Sequence, residues 1–215
     1  MFIRRKLMFC VVTTAAVAAV LCCGCSDTGI GGAFGEQRYG VNNCGTDGTA
    51  GSCKTVTIGE QTWMAENLNR TPSSGNSWCY DDKEYNCRRF GRLYDWYAAK
   101  SVCPTGWYLP SREEWQALVN YAGGDDVAGK KLKSTYGWYN DGNGTDEYGF
   151  SALPGGYRDS DGNFGYAGND GFWWAATDID GSYAYGRYMN YYYDYVLEDY
   201  DYDKSNGYSV RCVKD

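Results

Sequence analysis

The sequence predicts an α+β fold, and three observations carry that prediction. A β-hairpin pattern opens the ordered part at residues 54–65. Two or three helix patterns follow between residues 92 and 133. From Ser134 onward the helix signals stop, and glycine turns separate short aromatic stretches. Helix and strand patterns segregated along a chain favour helices packed on an antiparallel sheet over an alternating parallel one.

The elements follow in order. Lys54-Thr-Val-Thr-Ile-Gly59 is a β-branched run ending in a glycine turn, and Gln61-Thr-Trp-Met-Ala65 continues it as the second arm of a hairpin. Residues 92–100 read as a helix, because Leu93, Trp96 and Tyr97 share one face at i, i+3 and i+4. Pro104 and Gly106 break the chain after it. Ser111-Arg-Glu-Glu114 is a capping box, in which the serine oxygen takes an orphan N–H and the glutamate reaches back to the cap. Trp115, Leu118, Val119 and Ala122 then line one face, and Gly123-Gly124 ends the helix. Residues 125–133 suit a short third helix with Ala128 and Leu132 inward. Strands are expected within 148–153, 171–177, 183–197 and 207–213, the last returning near the start.

Residues 1–24 read as an export address. Arg4, Arg5 and Lys6 precede an apolar run at 7–21, shorter than the roughly 20 residues a stable membrane span needs. Leu21-Cys22-Cys23-Gly24-Cys25-Ser26 resembles the lipobox of bacterial lipoproteins, although Cys22 stands where a leucine is usual. The resemblance implies cleavage after Gly24 and acylation of Cys25. Several acyl chains on that residue would hold the chain to the outer membrane, facing the cell surface, better than a single chain could. Residues 25–52, rich in Gly, Ser, Thr and Asn, read as a flexible tether, and residues 53–215 as the domain.

Composition excludes several functions. The net charge is −7, and removing the three basic residues of the leader takes it to about −10, so phosphate backbones are repelled and nucleic acid is not an expected partner. Histidine is absent, which rules out Ser-His-Asp and Cys-His catalysis and the commonest metal ligand. Six cysteines follow Cys25, namely Cys44, Cys53, Cys79, Cys87, Cys103 and Cys212. An even count in an exported chain reads as three disulfides. Fifteen pairings are open; the favoured set closes two local loops, Cys44–Cys53 and Cys79–Cys87, and one long one, Cys103–Cys212. No Cys-x-x-Cys pair in the mature chain supports zinc.

A resemblance adds to this reading. Gly91-Arg-Leu-Tyr94, Cys103-Pro-Thr-Gly-Trp-Tyr-Leu-Pro-Ser-Arg-Glu-Glu-Trp115, Tyr148-Gly-Phe-Ser-Ala-Leu-Pro-Gly-Gly-Tyr-Arg158, Phe172-Trp-Trp-Ala-Ala-Thr177 and Lys204-Ser-Asn-Gly-Tyr-Ser-Val-Arg-Cys-Val-Lys-Asp215 stand in a fixed order. Together they resemble the major paralogous domain family of Fibrobacter succinogenes, over about residues 53–215. Tyr108 departs from the histidine often found in that family's Gly-Trp-His-Leu-Pro. The segment from Gly106 to Trp115 is also similar to formylglycine-generating enzymes. That similarity implies a C-type-lectin-like domain: a small twisted antiparallel sheet, two or three helices, long loops, and Cys103–Cys212 tying the segment after the first helix to the last strand. The fold does not itself imply an activity.

The candidate sites fall into three classes. An oxidative enzyme of the formylglycine-generating type would need a reactive thiolate, but its cysteine positions do not align here and each cysteine has a structural partner. Asp159-Ser-Asp-Gly-Asn-Phe164 has the start of a calcium loop but lacks a glutamate at loop position 12, so a glycine turn with Asx capping is the simpler reading. The acidic loop at 141–147 reads the same way. No catalytic residue, metal or cofactor is expected.

Residues 183–203 are the third class, with nine tyrosines and five acids. A strand in a small domain buries one face, and Tyr191, Tyr192 and Tyr193 are consecutive, so some rings must face outward. The expected ligand surface comprises Tyr191, Tyr192, Tyr193, Tyr195, Asp199, Tyr200 and Tyr202, with Trp173 or Trp174 behind or beside it. Its expected partner is an extracellular glycan or protein, with the membrane contacted through the lipid anchor alone. A structural cell-surface role is the other reading. A Tyr/Asp/Asn-rich tract before Gly207-Tyr-Ser-Val-Arg-Cys212 also resembles the variable repeats that diversity-generating retroelements mutate at adenines.

Overall fold

The computed structural model describes residues 42–215, with the backbone alone for 199–201. The leader, Cys25 and the tether up to residue 41 lie outside the described residues.

The opening hairpin forms where the β-branched run places it, β1 (Thr55–Ile58) pairing antiparallel with β2 (Gln61–Met64). There follow β3 (Ser77–Trp78), α1 (Glu84–Phe90), β4 (Leu93–Tyr94), α2 (Trp96–Val102), β5 (Trp107–Tyr108), α3 (Arg112–Tyr121) and α4 (Asp125–Leu132). The second half is β6 (Tyr157–Arg158), β7 (Phe164–Gly165), β8 (Asp170–Asp178), β9 (Tyr183–Asn190), β10 (Leu197–Asp203), β11 (Tyr208–Ser209) and β12 (Val213–Lys214). They build a four-stranded sheet ordered β1-β2-β12-β5, a six-stranded sheet ordered β10-β9-β8-β11-β4-β3, and the small β6-β7 hairpin. All pairings within these sheets are antiparallel except β11 with β8. The architecture is therefore mixed α+β, and the last strand returns between β2 and β5. No helix among the described residues is long and apolar enough to cross a membrane.

Local chemistry explains several boundaries. Ser111 Oγ accepts from the Glu114 N–H at 3.2 Å while Glu114 Oε2 accepts from the Ser111 N–H at 2.7 Å, the reciprocal capping box that starts α3. Residues 92–100 do not form one helix. The Leu93 and Tyr94 backbone pairs with β11 and β3, and the helix starts at Trp96 because Asp95 Oδ1 caps it from the Ala98 N–H at 2.7 Å. Helix α1, which begins within the Cys79–Cys87 loop and runs on to Phe90, carried no apolar period that announced it. Residues 148–153 contribute one isolated bridge, Ala152 to Lys133, not a strand. The expected strand at 183–197 breaks into β9, a loop at 191–196, and the start of β10.

The folded body also begins before residue 53. Asn42 Nδ2 donates to the Asn67 carbonyl at 2.8 Å, Asn69 Nδ2 donates to the Asn42 carbonyl at 2.9 Å, and Cys44 is fully buried. Residues 42–52 thus belong to the body and not to the tether. The three favoured disulfides are present, Cys44–Cys53, Cys79–Cys87 and Cys103–Cys212. Closing the 109-residue separation of the last removes about 5 kcal/mol of unfolded-chain entropy, against about 2.5 for each local loop.

Two buried clusters lie on opposite faces of β8. Trp173 and Ala175 enter one with Trp63, Trp115 and Phe150; Trp174 enters the other with Tyr94, Tyr202 and Tyr208. Both faces of this central strand are covered. The indole N–H groups still find acceptors: Trp173 donates to Asn67 Oδ1 at 2.9 Å and Trp174 to the Tyr94 carbonyl at 2.7 Å.

Arg211 joins the sheets at the centre. It is fully buried, and its guanidinium donates to Asn67 Oδ1 from Nη2 at 2.8 Å and from Nε at 3.2 Å, and to the carbonyls of Met64, Phe150 and Ser151. The cation also lies over the Phe150 ring, 4.4 Å from its centroid. Burial pushes its pKa down to about 9, because every hydrogen-bonding acceptor is neutral. Asn67→Ala would strand this cation and the Trp173 indole together. We expect a loss of about 3–5 kcal/mol, the range for breaking a buried charge's partner, read as a lower midpoint in chemical denaturation. A midpoint within error of wild type would show that Asn67 is not the anchor.

Candidate functional site

Exposed tyrosines gather at one end of β8 and β9. The loop from Tyr191 to Val196 leaves β9 after Asn190 and turns back into β10. Tyr192 is 71% exposed and Tyr193 is 45% exposed, and Tyr139, from the turn across from them, is 61% exposed. The rings form a connected array. Tyr139 meets Tyr191 edge-on at 5.4 Å, Tyr192 meets Tyr193 edge-on at 4.9 Å, and Tyr193 stacks on Tyr195 at 4.5 Å with 17° between planes. A second aromatic run from β8 and β9 to the β6–β7 hairpin includes Tyr188, Phe172, Tyr157 and Tyr166, successive centroids 5.0–5.7 Å apart.

The loop is held by its main chain. Lys133, immediately after α4, is 1% exposed and donates from Nζ to the carbonyls of Asn190 at 3.0 Å and Tyr193 at 2.8 Å. The Lys130 N–H donates to the Asp194 carbonyl, the Val196 N–H to the Asp125 carbonyl, and the Tyr191 N–H to the Asn169 carbonyl. Asn190 works both ways: its Oδ1 accepts from the Tyr192 N–H at 2.7 Å and its Nδ2 donates to Asp170 Oδ1 at 2.5 Å. Gly142 lies so close under the loop that a Cβ there would sit 2.0 Å from the Tyr191 carbonyl oxygen, so no larger residue fits.

Electrostatics follow from burial. Burial raises the Asp170 carboxyl above its usual range, opposed by the Asn190 amide. Burial, followed by the nearby Asp170 carboxylate, pushes Tyr188 up to about 12. Burial pushes the Lys133 ammonium down to about 8, opposed by Asp194. Beside the loop, Lys130, Lys133, Asn140, Asp141, Tyr191, Tyr192 and Asp194 border an open cleft of about 260 Å³.

The expected ligand surface is therefore partly corrected. Trp173 and Trp174 are fully buried, because β8 is a central strand with a cluster on each face. Tyr202 is 8% exposed, its ring lying over Gly186 of β9 where a Cβ would meet it at 2.4 Å, and packing against Tyr208 at 4.7 Å. Tyr191 and Tyr195 are half-buried, each making a ring contact within the array. The side chains of Asp199 and Tyr200, like Cys25, lie outside what is described. Sequence reasoning missed Lys133, Tyr139 and Asn190. A lone lysine after a helix reads as solvated, and only its place facing a tyrosine-rich return loop could have marked it.

The remaining candidates have local explanations. Asp159 accepts from the Asn163 N–H at 2.7 Å and from its Nδ2 at 3.0 Å; these bonds hold its carboxyl below the usual range and close the β6–β7 turn. Cys79, Glu84 and Cys87 form the one metal-like grouping among the described residues, and both sulfurs are in the disulfide.

Geometry thus defines a disulfide-braced α+β domain that carries a connected array of surface tyrosines on a main-chain-held loop. The chain belongs to the Fibrobacter succinogenes major domain family, whose family model matches residues 56–214. No curated relative and no solved structure matches it.

The Lys133 ammonium yields a pH prediction. Its folded pKa, about 8, lies below the model-peptide value of 10.5, so between the two the unfolded chain holds a proton that the folded chain has released. Stability from this group therefore rises with pH across that window and is absent below it. Urea denaturation at about pH 7 and about pH 9.5 should show this rise in wild type and not in Lys133→Met; an equal rise in both would remove the assignment.

Proposed function

We propose that this protein is a non-catalytic binding module, lipid-anchored at Cys25 to the outer membrane and facing outward, that recognises an extracellular glycan or protein through the tyrosine array. The observation that carries the reading is the exposure of Tyr192, Tyr193 and Tyr139 on a loop whose backbone is fixed. Tyrosine offers a rigid apolar plate with a polar tip and loses little rotamer entropy when it binds, which suits recognition. A fixed backbone lowers the ordering that binding would otherwise require. The scaffold is read as C-type-lectin-like, on the resemblance of residues 106–115 and on a sheet whose last strand closes beside the first hairpin. The pairing of all six described cysteines supports the non-catalytic side, because the formylglycine-generating type of chemistry needs a free thiolate.

A glycan and protein array probed with the purified chain tests this reading. Tyr192→Ala and Tyr193→Ala should each weaken binding by about tenfold or more, as truncated aromatic anchors do. Ala at Tyr97 or Tyr121, exposed on other elements, should leave it unchanged. Binding that survives both loop substitutions would remove the array from the site.

A further inference from the structure

The geometry points to a seat for a quaternary ammonium head, the trimethylated lysine side chain of a partner protein, in the open recess formed by Asn190, Tyr191, Tyr192 and Tyr193. This deepens the binding reading above and rests on it. The recess holds about 370 Å³, and three of its four lining residues are tyrosines. It adjoins the polar cleft described above and shares Tyr191 and Tyr192 with it.

Ring geometry selects a rounded head over a flat ligand. Tyr139 stands at 82° to Tyr191, Tyr191 at 69° to Tyr192, and Tyr192 at 89° to Tyr193, with successive centroids 5.4, 6.1 and 4.9 Å apart. Coplanar rings would make a platform for a sugar face. Rings turned nearly square to their neighbours make corners, which meet a compact head from more than one side. The face of each ring carries negative potential, so a cation in such a corner is attracted by every ring it meets.

Charge and hydrogen bonding narrow the class. Among the described residues no lysine or arginine lines the recess. Lys133 is 1% exposed, its Nζ is engaged by the Asn190 and Tyr193 carbonyls, and Asp194 opposes its charge. Lys130 Nζ donates to the Asn143 carbonyl. Exposed Asp141 and Asp194 border the adjoining cleft, and the whole chain has a net charge of −7. This field favours a cation and disfavours an anion. The Asn190 side chain is already committed, accepting from the Tyr192 N–H and donating to Asp170. An unmodified lysine ammonium is strongly hydrated and would leave its N–H groups short of acceptors here, whereas a trimethylated one has no N–H to satisfy. A phosphocholine group on a glycan carries a phosphate beside the same head, which the acidic surface disfavours. A lysine side chain carries none, so the protein side of the binding reading is favoured.

The recess is also preformed. The Tyr191 N–H is held by the Asn169 carbonyl and the Tyr192 N–H by Asn190 Oδ1, while Tyr195 stacks on Tyr193 with 17° between planes. A head enters without reordering the loop.

NMR titration of the isotope-labelled full chain in a polyoxyethylene detergent, which carries neither sugar nor choline, tests the seat. Choline is set against phosphocholine and against its uncharged carbon isostere, in which tert-butyl replaces trimethylammonium. A glycine-flanked trimethyllysine peptide is set against the same peptide with unmodified lysine. Choline and the trimethyllysine peptide should shift the Tyr191, Tyr192 and Tyr193 resonances and bind about tenfold tighter than the isostere and the unmodified peptide. Tyr192→Ala and Tyr193→Ala should each weaken that binding by about fivefold or more, and Tyr192→Phe, which keeps the ring, should retain it. An isostere that matches choline, no shift with choline, or binding indifferent to both alanines overturns the seat. Preference for phosphocholine over the trimethyllysine peptide overturns the assignment to a protein side chain. If the arrays find a neutral ligand dependent on Tyr192, the cation class fails while the binding surface stands. If no ligand depends on Tyr192, the underlying reading fails first.

Discussion

A buried cation sets the centre of this fold. Arg211 is held between β2 and the segment at 150–151, with the Asn67 side chain and three main-chain carbonyls as its hydrogen-bond partners. Removing a guanidinium from water is expensive, and an arrangement without a carboxylate at hydrogen-bond distance repays it only through complete hydrogen bonding and the ring of Phe150. That demand fixes several strangers in sequence against one another. Asn67 must sit where its Oδ1 serves both Arg211 and the Trp173 indole, while its Nδ2 reaches the Phe90 carbonyl at 2.8 Å and Ser209 Oγ at 3.3 Å. One amide thereby connects the segment after the first hairpin, the end of α1, β8 and β11. The neighbouring Cys103–Cys212 bond then closes the chain around the same point.

The tyrosine loop inherits its rigidity from this centre through β8. Trp173 is tied to Asn67, and at the start of the same strand Asp170 holds the Asn190 amide, whose oxygen in turn accepts from the Tyr192 N–H. A strand packed on both faces moves as a unit, since the core on either side is close-packed. The second support, Lys133, comes from the helical half and is pinned by burial against the Trp138 ring at 5.3 Å. The array therefore stands where the six-stranded sheet meets α4.

What the sequence disclosed, and what it withheld, divides along the range of the forces involved. The hairpin at 54–65, the capping box at Ser111 and the short helix carrying Ala128 and Leu132 depend on neighbours within a few residues, and all were legible. So were the disulfides, because two of the three close short loops. Leu93 and Tyr94 were misread as helical because their periodicity fits a helix, whereas pairing with β3 and β11, from distant parts of the chain, decides their state. Tyr202 was expected outside on the premise that a small sheet buries one face, with Trp173 or Trp174 behind or beside the ligand surface. Composition could not reveal that β8 would be covered twice, nor that Gly186 would leave room for the Tyr202 ring. That at least one of Tyr191, Tyr192 and Tyr193 is exposed, by contrast, followed from three consecutive tyrosines that no alternation can hide; that both Tyr192 and Tyr193 are exposed follows from the loop that interrupts the strand there.

The manner in which the loop is held separates its shape from its surface chemistry. Lys133 donates to the carbonyls of Asn190 and Tyr193, Lys130 and Asp125 pair with the main chain of Asp194 and Val196, and Asn169 accepts from the Tyr191 N–H. None of these bonds involves the side chain of residue 192 or 193. Those side chains can change without loosening the loop, since contacts that do not share partners combine almost additively. The Asn190 side chain and the close approach of Gly142 are the exceptions, and they mark where the tolerance ends. A frame fixed by buried charge, disulfides and main-chain bonds, carrying exposed rings that contribute little to it, leaves recognition free to vary while folding stays constant.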